Sequence, residues 1–243
     1  MWLLYPNKIR NLSVVGEIGT IIGPPENVLD THPKNIWEGE KLRCEILGGS
    51  WGIAAFNISA SQVKIEIKDM SNNLVEEHLI DLDIIEDYYE LVEGVNKALD
   101  YFFIEYTPQD NTHYIEISFP QDRIGSIGVL RVGPFFEVCN PQWGLTETVE
   151  DLSIRKKTPG GQLYYVNQDR RRIFSGSLML DFGVEMFPLK RLYEEFGPEP
   201  QAWLISSDYR KEYFPVFAYI AEFSINHKTV NWSVVNFKLE EVK

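Results

Sequence analysis

The feature that most narrows what this chain can fold into is a period of two. Apolar residues take every second position through Val63, Ile65 and Ile67, stop at Ser71-Asn72-Asn73, and resume from Val75 to Ile80. Successive side chains of a strand point to opposite faces, so this pattern describes two strands with one dry face and a turn between them. Further strands are expected over 42–47, 52–58, 101–106, 114–119 and 127–132, separated by clusters of Gly, Pro, Asn and Asp. The spacing suits an antiparallel sandwich, and an aromatic content of 13% inclines the same way. The first 35 residues, punctuated by Gly16, Gly19, Gly23, Pro24, Pro25 and Pro33, are expected to be ordered loop with short strands.

A boundary is expected across Pro134 to Trp143, which divides the chain into 1–138 and 139–243. Beyond it, Thr146 to Lys157 and Gln162 to Asn167 flank Thr158-Pro159-Gly160-Gly161, the signal for a long hairpin. Arg170 to Phe182 reads as a long strand carrying Ile173, Leu178 and Leu180. Met186, Leu189, Leu192, Tyr193 and Phe196 recur at spacings of three and four, which predicts one short helix ended by Gly197-Pro198. Strands over 202–206, 214–225 and 231–242 close the chain. At 243 residues the expected class is all-β with one short helix.

Charge narrows the function. The net charge is −13, and residues 1–138 hold 22 acidic against 10 basic residues, so the acidity sits in the first half. An acidic surface disfavours phosphate backbones, so no nucleic-acid partner is expected. No apolar run reaches the length of a membrane helix, and MWLLYPNKIR lacks a signal-peptide layout, so neither membrane insertion nor export is expected. Cys44 and Cys139 are far apart and lack zinc-site spacing, which favours a reducing compartment.

Chemistry-bearing motifs are sparse. His32, His78, His113 and His227 form no helical metal pair, and there is no nucleophile elbow, phosphate loop or dinucleotide fingerprint. Gly125-Ser126-Ile127-Gly128 opens a strand and not a helix. The acidic run from Glu76 to Glu93 reads either as a calcium site or as a solvated strand edge and loop, and the absence of a D-x-D-x-D loop favours the latter. No catalytic residue, metal or cofactor is expected. Trp51, Tyr88 and Tyr89 read either as exposed stacking platforms for a sugar or as buried aromatics. Two basic clusters stand against the acidic background, Arg155-Lys156-Lys157 and Arg170-Arg171-Arg172. They are expected on neighbouring strands, either meeting an acidic neighbouring subunit or protecting a strand edge. Replacing Arg170, Arg171 and Arg172 with Glu is expected to spare the fold and impair assembly.

Two stretches are similar to known families. Asn27-Val28-Leu29-Asp30, Pro33 and Ile36-Trp37, followed by a run of strands, resemble the opening of discoidin-like (factor 5/8 type) domains. That resemblance covers about the first 138 residues. It implies a galactose-binding jelly roll in which the Asp and Trp support the fold and ligands meet the loops at one end. The second half resembles tailed-bacteriophage tail-tip or baseplate (distal-tail-like) proteins through an ordered series: Ser153 to Lys157, Pro159-Gly160-Gly161, Arg170-Arg171-Arg172, the helix end 192–197, Ala202 to Ser206, and the run 235–241. It implies a sandwich or split barrel with a protruding hairpin, exchanged between copies in a ring around the tail tube.

Together these resemblances imply a non-enzymatic virion tail protein made in the host bacterial cytoplasm. Its implied partners are copies of itself, other tail proteins and, through an outward-facing module, a host surface glycan. A stand-alone carbohydrate-binding protein is the alternative, and a glycoside hydrolase using an acid pair is a third.

Overall fold

The computed structural model describes the chain except residues 18, 85–96, 110–111, 139–144, 158–160, 167, 182–184, 208–211 and 230. The protein is all-β, with one α-helix among the described residues. It forms two compact units, Leu3–Phe136 and a second made of Met1–Trp2 with Glu137–Lys243. No helix among the described residues is long and apolar enough to cross a membrane.

The first unit is a sandwich of two five-stranded antiparallel sheets. One runs in the order Tyr101–Gln109, Ser50–Ser59, Gly125–Gly133, Trp37–Gly39, Thr20–Ile22; the other in the order Ile9–Val14, Lys41–Ile46, His113–Ser118, Gln62–Lys68, Leu74–Asp81. In the second sheet the period of two becomes geometry. His113–Ser118 places Ile115 opposite Cys44 and Ile67, and Ile117 opposite Leu42 and Ile65. All six are buried in one apolar layer. Trp37 lies in the same core, its indole N–H donating to the Thr20 hydroxyl at 3.2 Å. Apolar burial is worth about 25 cal/mol per Å², so this layer is the main stabilising term of the unit.

The segment from Pro25 to Trp37 is tied down by its own polar groups. Asn27 Nδ2 donates to the Ile36 carbonyl at 3.0 Å, and Asp30 accepts from the Thr31 amide at 2.6 Å and from Asn35 Nδ2 at 2.7 Å. Those two donors hold the Asp30 carboxyl below its usual range, Asn35 contributing most. The buried Arg131 guanidinium donates to the carbonyls of Leu130 at 3.0 Å and Asp30 at 3.1 Å. Gly128 lies so close to the Pro33 carbonyl that a Cβ there would collide with it. Asn57, at φ 53°, donates its Nδ2 to the same oxygen at 2.7 Å.

The second unit is built on long antiparallel strands in the order Gln201–Ser207, Glu212–His227, Trp232–Glu241, Arg170–Asp181, Thr146–Asp151. Phe174, Leu178 and Leu180 share one buried face with Val235, Phe237 and Leu239. The helix Met186–Phe196 packs by aromatic contacts: Tyr193 stacks on Phe223 at 4.6 Å between centroids, and Phe196 meets Trp203 edge-on at 6.3 Å. Gly197, at φ 57°, ends the helix where a residue with a Cβ would be strained.

Candidate assembly hairpin

Beyond the sheet, the chain continues into a two-stranded ribbon, Ile154–Lys157 paired with Leu163–Val166. The arm expected as one strand over 146–157 is two, broken at Leu152-Ser153. Ser153 bridges the break, its Oγ accepting from the Gln168 amide at 3.1 Å. Side chains of this ribbon alternate between two faces. Ile154, Lys156, Tyr164 and Val166 share one; Lys157, Leu163 and Tyr165 share the other. Neither face is buried. Leu163 is 64% exposed, Tyr164 59%, Tyr165 48% and Ile154 40%. Lys156 and Lys157 are exposed beside them.

The basic clusters are not on paired strands, which corrects the sequence expectation. Register sets Arg155, Lys156 and Lys157 opposite Tyr165, Tyr164 and Leu163, and sets Arg170, Arg171 and Arg172 opposite Asp151, Glu150 and Val149. They therefore occupy opposite arms at successive levels of one long hairpin.

The three arginines also divide by face. Arg171 Nε donates to Glu150 Oε2 at 2.6 Å, and its Nη1 lies 2.8 Å from Glu240 Oε2. Glu240 also pairs with Lys238 at 2.7 Å and accepts from the Tyr219 hydroxyl at 2.6 Å, and these hydrogen bonds hold its carboxyl below the usual range. Arg172 points to the other face. Its amide donates to Glu241 Oε2 at 2.8 Å and its Nη2 to Oε1 at 2.8 Å, closing the end of the apolar layer. Arg170 is exposed. A triple Glu replacement would set like charges against Glu240 and Glu241.

Elsewhere, Trp51 is half-buried in the strand Ser50–Ser59, whereas Tyr88 and Tyr89 lie outside the described residues. The acidic run is described as far as Ile84. There Glu76 accepts from the Thr107 amide at 2.9 Å, and Glu77 pairs with Lys64 at 3.0 Å. Among the described residues no group of His, Cys, Asp and Glu is arranged to hold a metal. His113 is buried, with its Nε2 3.0 Å from the Tyr106 hydroxyl. Burial pushes the Cys44 thiol up.

Two features escaped the sequence reading. Glu116 occupies the outward-pointing position between Ile115 and Ile117, yet it is 3% exposed. Lys41 pairs with it, Lys68 lies at 2.7 Å and Arg43 at 3.4 Å. Burial alone would raise its carboxyl, but hydrogen bonds from Lys41 and Lys68 outweigh that and lower it. Glu66 behaves likewise: burial is offset by Lys64 and Lys41, and its pKa is held at about 2. The other is the ribbon's apolar arm. Leu163-Tyr164-Tyr165-Val166 is four apolar residues in succession, and a strand apolar on both faces needs cover on both. That signal was present in the sequence, eclipsed by the neighbouring charges.

No family model matches this chain, and no curated protein matches it. Among solved structures, it is similar to a Streptococcus pneumoniae fucose binding module, with 10% identity and a TM-score of 0.37 over 52% of this chain and 95% of that one. A second Streptococcus pneumoniae fucose binding module is similar at 12% identity and a TM-score of 0.32, over 49% of this chain and 94% of that one.

Proposed function

We propose that this chain is a non-enzymatic structural component of a bacteriophage tail end, a tail-tip or baseplate protein residing in the virion. In this reading the hairpin joins neighbouring copies into a ring around the tail tube, and the sandwich serves as a module for a host surface glycan. The observation that carries the assembly half is the ribbon 154–166, which presents large apolar side chains on both faces. An isolated two-stranded ribbon is marginal in water, and exposed apolar area is costly at about 25 cal/mol per Å². A neighbour seated on the ribbon removes both penalties and adds backbone pairing.

The phage assignment rests on the resemblance of the second half. It is supported by an element order of hairpin, long strand, helix and three strands. The glycan half is supported by the half-buried Trp51, which also supports the second reading, a carbohydrate-binding protein acting outside a particle.

Immunogold electron microscopy with antibody to residues 1–138, on particles released from the source culture, tests the assignment. Label clustered at one tail end is expected. Unlabelled particles, with the chain abundant in the soluble fraction, would overturn the tail reading and favour the free binding module.

A further inference from the structure

We infer that the hairpin of one copy docks on an acidic, apolar strip of a neighbouring copy's sandwich, formed by the strand Leu74–Asp81. The inference rests on the self-assembly reading and adds the surface that receives the hairpin. Leu74–Asp81 is the last strand of its sheet, paired on one side with Gln62–Lys68. Glu77, Leu79 and Asp81 take alternate positions and therefore share one face, with about 7 Å between successive members, and Val75 adjoins them at a bulge in the pairing. All four are exposed, Val75 at 45% and Leu79 at 59%. Leu74 and Met70 extend the apolar part at 54% and 66%.

The strip thus alternates apolar and acidic side chains. The ribbon offers the complement, Leu163 and Tyr165 in one row with Lys157 opposite Leu163 on the same face. Seated on the strip, the apolar row covers Val75 and Leu79 while Lys157 joins Lys64 and Gln62 around Glu77 and Asp81.

Charge selects this occupant over the other exposed parts of a second copy. The ribbon, residues 154–166, carries Arg155, Lys156 and Lys157 and no acidic residue, whereas residues 1–138 carry 22 acidic against 10 basic. Two sandwiches repel each other, and two hairpins do the same. A hairpin and a sandwich attract, which favours their encounter and fixes their pairing.

Sedimentation equilibrium of the full-length chain tests this with four proteins: the parent, Lys156→Glu with Lys157→Glu, Glu77→Lys with Asp81→Lys, and all four changes together. Each double reversal is expected to raise the self-association Kd by about tenfold or more, and the combination to return it to within about threefold of the parent. Leu79→Ser, without a charge change, should also weaken association, and thermal melting verifies that each variant folds. If the hairpin reversal weakens association while the strip reversal and Leu79→Ser leave it unchanged, the docking site is wrong and the assembly reading stands. If the hairpin reversal changes nothing, or the parent does not self-associate, both are overturned.

Discussion

The sheet that carries Glu116 and the ribbon that carries Tyr164 are both antiparallel β-structure, yet they end in opposite conditions. In the sheet, His113–Ser118 has a neighbour on each side and a second sheet over its apolar face. Its inner row is dry and its outer row is an acid–base ladder through Glu116, Glu66, Lys41 and Lys68. In the ribbon, among the described residues, each strand pairs with one neighbour, and Ile154, Leu163, Tyr164 and Tyr165 are exposed. Alternation tells which side chains share a face; it does not supply the layer that covers that face. The sandwich brings its own cover, whereas the described apolar side chains of the ribbon stay exposed.

The largest effect expected from breaking this contrast lies in the sandwich core. Trp37→Ala should cost about 3–5 kcal/mol, because the indole is fully buried and the surroundings relax only partly. Denaturant unfolding reads this, and a loss below about 1 kcal/mol would contradict the core assignment.

Next comes the ladder. Glu116→Gln leaves three cations without their shared carboxylate and should cost about 2–3 kcal/mol. The same ladder sets a pH dependence. Glu66 is held at about 2 against an ordinary 4.5, so its folded pKa is the lower one. Its contribution is therefore complete above the ordinary value and is lost as pH falls through about 2. Thermal melts across this window should show progressive acid destabilisation, shallower in Glu116→Gln because the lowered Glu116 carboxyl contributes to the slope. A flat profile would count against the ladder.

The smallest effect on stability belongs to the ribbon. Leu163→Ser with Tyr164→Ser should change unfolding free energy by no more than about 0.5 kcal/mol, since both side chains are exposed in the single chain. The same variant should weaken self-association. A large stability loss without an assembly defect would mean that the ribbon is covered by its own chain.

Much of the fold was legible in the residues. Val63-x-Ile65-x-Ile67 became the strand Gln62–Lys68, the spacing of three and four became the helix Met186–Phe196, and Gly197 ended it. These features are local, because dihedral preference and side-chain periodicity act over a few residues. The candidate site was legible only in part. The hairpin was visible from its turn signal, and its cations were visible as clusters. The division of labour among Arg170, Arg171 and Arg172 was not, because it depends on Glu150 across one strand pair and on Glu240 and Glu241 across the other.

By itself, the sequence determined which residues alternate, where strands turn, where one helix begins and ends, and that the negative charge gathers in the first half. Tertiary structure decided which outward positions are buried and which apolar positions stay exposed. Glu116 became the centre of a covered ladder because register brought Lys41, Arg43 and Lys68 around it. Leu163 and Tyr164 stayed exposed because the residues that the register sets beside them, Lys156 and Lys157, are themselves exposed. Burial is a property of what packs across from a residue, and for Glu116 those partners, Lys41, Arg43 and Lys68, lie tens of residues away in the chain.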